Sequence, residues 1–441
     1  MSQVSDGNVI NLFKRVYGDL TNLLPEDTHL AKDIPFSPKM KVGEAYYEAV
    51  VLTHETGVTL SATTDAFELN PAIAGVIKQA SVTPYISVLP SIVPWGVISR
   101  TAGGGEKAFF DATKFIVKNN LRSHQKIQET LRFYGQATPL LGYVSYATAT
   151  YRSVSFTTGT GTLTVNGSSV AFTNGVNTSS KWILFAPGSF AAGTFVGMEG
   201  VKLNQVDSSA AVVASGKLVA VDSLQGAIQV DFTPVAASST TSHRICFDGQ
   251  EATKDMVGIH AILNNTGTLF GIPTSSYSLW KGNVKDLGGQ KVTIARLQSA
   301  IADMVNKSGM EGDLMAYCNP RSWATLASTE AGLRVYDKSY NPKEAENGFE
   351  QITFYSQTGS ITIKPHRCVK EGDCFVLHLP TWSRSGSAEV SFQIPGMNQD
   401  IIYPLQNQAG YCFRSFSDQY LFCHMVAQNL LITGINDESP V

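Results

Sequence analysis

Three kinds of residue grouping have the types and spacing that chemistry needs. Gly103-Gly104-Gly105-Glu106-Lys107 precedes a helical pattern, and glycines in that place can cradle a phosphate on backbone N–H groups. The spacing of a phosphate loop is absent, and Lys107 is followed by Ala108, so a tight turn is the better reading. His366 with Cys368, and Cys423 with His424, offer the imidazole and thiol that hold zinc or activate a nucleophile. Each pair lies in an alternating stretch without a second cluster of ligands, which makes them buried structural residues. Asn166, Asn177 and Asn264 open glycan sequons by pattern, with nothing beside them that suggests secretion. The GxSxG, HExxH and GxGxxG signatures do not occur, and no pair of carboxylates can be assigned from spacing. The expectation is of no catalytic, cofactor-binding or metal-binding residue, and of no cofactor.

The elements that would have to position any site say more. Between Gly103 and Gly135 no proline interrupts roughly thirty residues, a helix of about 45 Å. Phe109, Ala112, Ile116, Leu121, Ile127, Leu131 and Tyr134 recur near a helical period, with one slip at Asn119-Asn120. The remaining face carries Lys107, Lys114, Lys118, Arg122, Lys126 and Arg132 against Glu106, Asp111 and Glu129. Such a helix is a strut with one greasy side. Before it, residues 1–38 form an arm, with an amphipathic rhythm from Val9 to Leu24 ended by Pro25, that has little to bury against itself and is expected on a neighbour. Residues 39–98 start as a β-hairpin, Lys41–Thr53 turning at His54-Glu55-Thr56-Gly57 into Val58–Ala62. They continue as a greasy loop broken by Pro71, Pro84 and Pro90, which needs an outside surface.

After the helix, composition shifts. Residues 153–245 are rich in Ser, Thr, Gly, Ala and Val, with short alternating runs between turns such as Asn166-Gly167 and Asn174-Gly175. They read as an inserted all-β sandwich or barrel. Residues 246–385 return to mixed structure, with an amphipathic helix at Thr293–Lys307, a strand Leu314–Cys318, and a helix from Arg321 capped by Asn319-Pro320. Residues 386–441 alternate again as returning strands. Charged residues make up only 16 % of the 441 and net charge is −3, so no global case exists for tight nucleic-acid binding. A surface so poor in charge suits burial in an assembly. The six cysteines are scattered and lack CxxC, which suggests neither a disulfide framework nor zinc, and fits a reducing cytoplasm. No signal peptide and no membrane-spanning stretch is expected.

The order of these parts resembles the major capsid protein of tailed bacteriophages, whose fold also forms the floor of herpesvirus shells. Phe13-Lys-Arg-Val-Tyr-Gly-Asp-Leu20 through Ile34-Pro-Phe36 resembles that family's arm, and Gly267 to Trp280 its passage into the axial domain. Asp313 to Leu326 is similar to its strand and following NPxxW helix, and Glu371 to Leu377 to a later strand pair. The resemblance covers nearly all of the chain outside 153–245. It implies an α+β fold of N-terminal arm (1–38), extended loop (39–98), and spine helix opening a peripheral domain (99–152). An inserted all-β domain (153–245), an axial domain (246–385) and returning peripheral strands (386–441) complete it. The implied function is assembly of pentamers and hexamers into an icosahedral shell around double-stranded DNA, in a virion built in the host cytoplasm. Implied partners are further copies of the chain, a separate scaffold protein, the portal, packaged DNA by weak contacts and a decoration protein, with no membrane. The sequence goes almost straight into the arm, so the long helical scaffold segment that some members carry and cleave is not expected. Two other readings stand beside it: a tail-tube or spike component, and an enzyme with an appended β-sandwich binding domain.

Overall fold

The computed structural model describes residues 29–37, 45–62, 66–95, 106–138, 140–144, 150–151, 154–155, 159–238, 242–334, 352–355, 359–392, 402–405 and 409–437. The long helix runs Glu106–Tyr134. It stops at Gly135 because the chain must pass close to the turn before the next short helix. A Cβ on Gly135 would stand 2.0 Å from the Met256 carbonyl oxygen. One greasy side was expected, but Gln128 to Tyr134 are buried all round. The cause is packing on several sides, by a five-stranded sheet, by the helix Ile259–Leu263 and by the β-rich segment.

The five-stranded sheet is centred on the fourteen-residue strand Gly410–Cys423. One edge of it pairs antiparallel with Tyr85–Pro94, from Gly410↔Pro94 to Gln419↔Tyr85. The other edge takes Ile402–Pro404 and Trp382–Ser391, and Phe36–Ser37 adds in parallel beyond. Tyr85–Pro94 falls where the sequence suggested a proline-broken loop. It tolerates Pro90 because an edge strand leaves one row of N–H groups without a ladder partner.

The hairpin also differs from expectation. Tyr46–Val51 pairs not with Val58–Ala62 but with Ile77–Val82, in register from Tyr46↔Val82 to Val51↔Ile77. Burial decides the register. Ala80 and Val82 reach the core, whereas Val58 and Leu60 have nothing to pack on and stay exposed. Residues between the strands form the distal part, held by the bridge Thr56↔Ile73.

A six-stranded sheet runs Asn283–Gln290, Leu430–Ile435, Cys374–Leu377, Leu314–Cys318, Ser360–Pro365, Ile352–Tyr355. Ile294–Ser308 and Pro320–Arg334 lie along it, starting at the caps the sequence marks. Thr293 Oγ1 accepts from Arg296 N and Asn319 Oδ1 from Arg321 N. Leu430–Ile435 was expected among the returning peripheral strands and instead sits inside this sheet. Its continuous apolar run explains the position, since Leu430 and Ile432 enter the core on one face and Leu431 the core on the other.

The β-rich segment is one nine-stranded sheet. Its first strand, Gly142–Tyr143, also meets the end of its sixth, Trp182–Leu184, through the bridge Val144↔Phe185 and Ala186 N donating to Tyr143 O at 2.9 Å, so it closes as a barrel rather than a sandwich. Its long strand Val212–Asp222 pairs with Lys202–Val206 through its first half and with Ala227–Val230 through its second. The sheet begins outside the interval 153–245, because Gly142–Tyr143 pairs with Arg244–Phe247. Nor is its core private. Phe185, Phe190 and Phe195 meet at centroid distances of 5.2–5.8 Å, in one cluster with Leu131 of the long helix and with Met256. Gly188 and Gly372 touch backbone to backbone, with Gly372 N donating to Gly188 O at 2.7 Å. A Cβ on Gly372 would stand 2.7 Å from that oxygen.

Candidate assembly interface

A polar hub buried at the end of the long helix holds residues 29–37 against the body. Glu129 accepts from Leu30 N at 2.7 Å, from an Arg132 nitrogen at 2.6 Å and from His366 Nε2 at 3.2 Å. His366 Nδ1 accepts the Cys368 N–H, which leaves the imidazole proton on Nε2, facing Glu129. Burial alone would raise the Glu129 carboxyl, but the His366 hydrogen bond and the Arg132 guanidinium outweigh it and hold the group below its usual range. Arg384 donates to the carbonyls of Ile34 and Ala31, and Tyr317 OH donates to Asp33 Oδ2 at 2.5 Å. Residues 29–37 are therefore clamped onto their own subunit. The expectation that the arm lies on a neighbour fails for this part, because its polar backbone finds charged partners at home. Residues 1–28 are outside the described range.

The residues singled out for chemistry are placed as follows. Gly103 to Gly105 lie outside the described residues. His366 and Cys368 are both buried, in the hub and the core beside it. Cys423 points into the same core, while His424, next along the strand, faces the hairpin. Asn166 sits at φ +46° in the turn before Ser168–Thr173, and the Asn177 side chain bonds to Ala171 O and Ser180. Among the described residues, no group of three or more His, Cys, Asp or Glu could hold a metal. No described helix is long and apolar enough to cross a membrane.

Sequence reasoning missed the row Ser383–His424–Glu48. His424 Nε2 lies 3.1 Å from Ser383 Oγ and Nδ1 lies 2.7 Å from Glu48 Oε1. The order is that of a hydrolase triad, but Ser383 is laddered opposite Phe422 and Glu48 belongs to the hairpin. The row fastens the hairpin base to the body, together with Tyr46 stacked on Tyr420 at 5.5 Å. Only the three-dimensional pairing brings these three positions together, so no local signal announces them.

Beyond this base the hairpin is apolar and uncovered. Val58 is 76 %, Leu60 91 % and Leu69 77 % exposed, and Val51, Phe67, Ile73 and Ile77 are exposed too. An exposed apolar surface of this extent marks an interaction site.

The structure is similar to the cyanophage A-1(L) capsid asymmetric unit, with a TM-score of 0.52 at 9 % identity over 95 % of this chain and 96 % of that one. The chain has the tailed-phage major capsid protein fold. Looser likenesses link it to Mycobacterium phage Ogopogo (TM-score 0.43, 8 % identity, 98 % and 99 % covered). The SrpI encapsulin of Synechococcus elongatus stands at a similar distance (TM-score 0.42, 7 % identity, 100 % and 99 % covered). No protein-family model and no curated protein matches the chain. By residue range, the long helix falls where the resemblance implies a spine, and the hairpin where it implies an extended loop.

Proposed function

We propose that the chain is the major capsid protein of a tailed phage, assembling into pentamers and hexamers that close an icosahedral shell around double-stranded DNA. The observation that carries this reading is the extended loop. A hairpin tied to its body at the base, with Val58, Leu60 and Leu69 bare, belongs on the surface of another subunit. A shell built from many repeated contacts of this kind needs neither a compact dimer interface nor an active site. The work of the protein is assembly rather than catalysis. The partners that fit are other copies first, then a separate scaffold protein, the portal, a decoration protein and weakly held DNA, all within the virion. A fold centred on the long helix, with the β-rich segment packed against that helix's end, speaks against a tail tube or spike, where that segment would be the core.

The test is co-expression with the scaffold protein of the same phage, followed by sedimentation and electron microscopy. Closed shells of uniform diameter that package DNA when portal and packaging proteins are supplied are the expected result. Tubes, or a compact monomer at every concentration, would overturn the assembly reading. Shells that enclose protein cargo and exclude DNA would overturn the genome reading alone.

A further inference from the structure

The six cysteines look scattered in the sequence, and all six are buried free thiols. The fold sets two of them opposite each other. Cys318 ends Leu314–Cys318, Cys374 begins Cys374–Leu377, and the antiparallel register pairs them directly. Both side chains enter the same core as Ala316 and Val376, while their neighbours Tyr317 and Phe375 enter the core on the other face. Directly opposed Cα atoms in an antiparallel ladder stand about 4.5 or 5.5 Å apart, depending on whether the pair exchanges hydrogen bonds. Both values lie within the span of about 4.4–6.8 Å that a disulfide bridges. Among the described pairings no other cysteine has this arrangement, since Cys246 faces Asn204, Cys412 faces Tyr403 and Ile92, and Cys423 faces Trp382.

We propose that Cys318 and Cys374 form an oxidisable dithiol that closes to a disulfide between the two central strands of the six-stranded sheet. The oxidant is a peroxide, small enough to follow a transient opening of the sheet end. One thiol gives up its proton and attacks a peroxide oxygen, forming a sulfenic acid and releasing water. The second thiol, also losing its proton, attacks the sulfenic sulfur and expels a second water. Two thiols and one hydrogen peroxide become one disulfide and two waters, and the two electrons lost by sulfur reduce the peroxide oxygens. Burial first, and neighbouring charge second, push the Cys374 thiol up to about 12 and Cys318 in the same direction. Thiolate is therefore scarce in the folded subunit, so closure is slow and the pair stays reduced in a reducing cytoplasm.

The test uses the full chain, treated with hydrogen peroxide under native conditions, quenched, denatured and alkylated before peptide mapping. Free thiols should fall from six to four. The intact mass should drop by about 2 Da before alkylation. A single linked peptide pair should join Cys318 to Cys374 and vanish on reduction. Cys423→Ser should form the same link, and Cys374→Ser should form none. Six titratable thiols after exhaustive oxidation, links between other cysteines or between chains, or sulfinic acid at Cys374 without a link would each overturn the assignment. The wild-type peptide map decides on its own if a variant fails to fold.

Discussion

At the scale of single residues, the hub is where the fold is most exposed to error. Glu129 is fully buried and serves three donors, including the Arg132 guanidinium. Glu129→Ala would orphan Leu30 N and leave Arg132 buried without its counter-charge, a loss of about 3–5 kcal/mol. A fall in the urea midpoint of the purified subunit, with the arm newly open to protease near Leu30, is the expected outcome. An unchanged midpoint would show the hub to be dispensable. His124 supplies a second handle, because it bridges Ser87 on one sheet strand and Ser415 on the other, at 2.7 and 2.8 Å. Burial, and then the charge of Arg132, lower it from 6.5 to about 4. Above 6.5 neither folded nor unfolded chain holds the extra proton, and the contribution to stability is whole. As pH falls from 6.5 towards 4 the unfolded chain takes a proton that the native site refuses, a loss of about 3 kcal/mol in all. His260, lowered to about 3 by burial and then Lys370, acts in the same direction. His124→Asn should start less stable at pH 7 yet lose less between pH 7 and 5. Parallel pH curves of the melting temperature for variant and wild type would remove His124 from the account.

At the scale of elements, what the sequence discloses is local and what it hides is pairing. The long helix, the caps at Thr293 and Asn319, and the strands Leu314–Cys318 and Ile352–Tyr355 follow from signals within a few residues of each. The partner of Tyr46–Val51 does not, because Val58–Ala62 alternates plausibly and only burial of Ala80 and Val82 selects Ile77–Val82. The same holds for Leu430–Ile435, and for the charges of the helix. Lys126 reaches the Val196 carbonyl and Arg132 is buried, so part of what looked like a basic flank is internal wiring, although Lys118 does face solvent. The edges of the β-rich segment differ from the composition boundaries for a related reason. A change of composition marks where sequence style shifts, not where hydrogen bonds end. Residues 153–245 leave out Gly142–Tyr143, Leu141, Val144 and Phe247, all of which complete its sheet or core. An isolated piece of residues 140–248 should therefore unfold cooperatively at higher urea than 153–245, followed by circular dichroism. Both should fall short of the intact chain, where Leu131 and Met256 cover Phe185 and Phe195. If 153–245 alone matched the longer piece, the segment would be the independent domain its composition suggests.

At the scale of the whole molecule, the subunit keeps its polar ties inside and its apolar surface outside. Arm, spine and both sheets are joined by Glu129, Arg132, Arg384 and Tyr317, so the body is a finished object. The extended loop is not, and burying a side chain such as Leu60 or Leu69 against a neighbour is worth about 1.5–3 kcal/mol. Each 1.4 kcal/mol is about tenfold in one contact, and a closed shell repeats the contact at every subunit. Small losses there should be multiplied into failure of assembly while the fold is spared. The double variant Leu60→Ser with Leu69→Ser removes apolar surface from positions that are largely exposed in the isolated subunit, so the melting temperature of the unassembled protein should stay within a degree or two. Shell yield under scaffold-driven assembly should fall by well over tenfold, with free subunits in the sedimentation profile. A melting temperature lowered with assembly intact would place the loop in the subunit's own stability, and normal shells with normal stability would leave its bare leucines without a role.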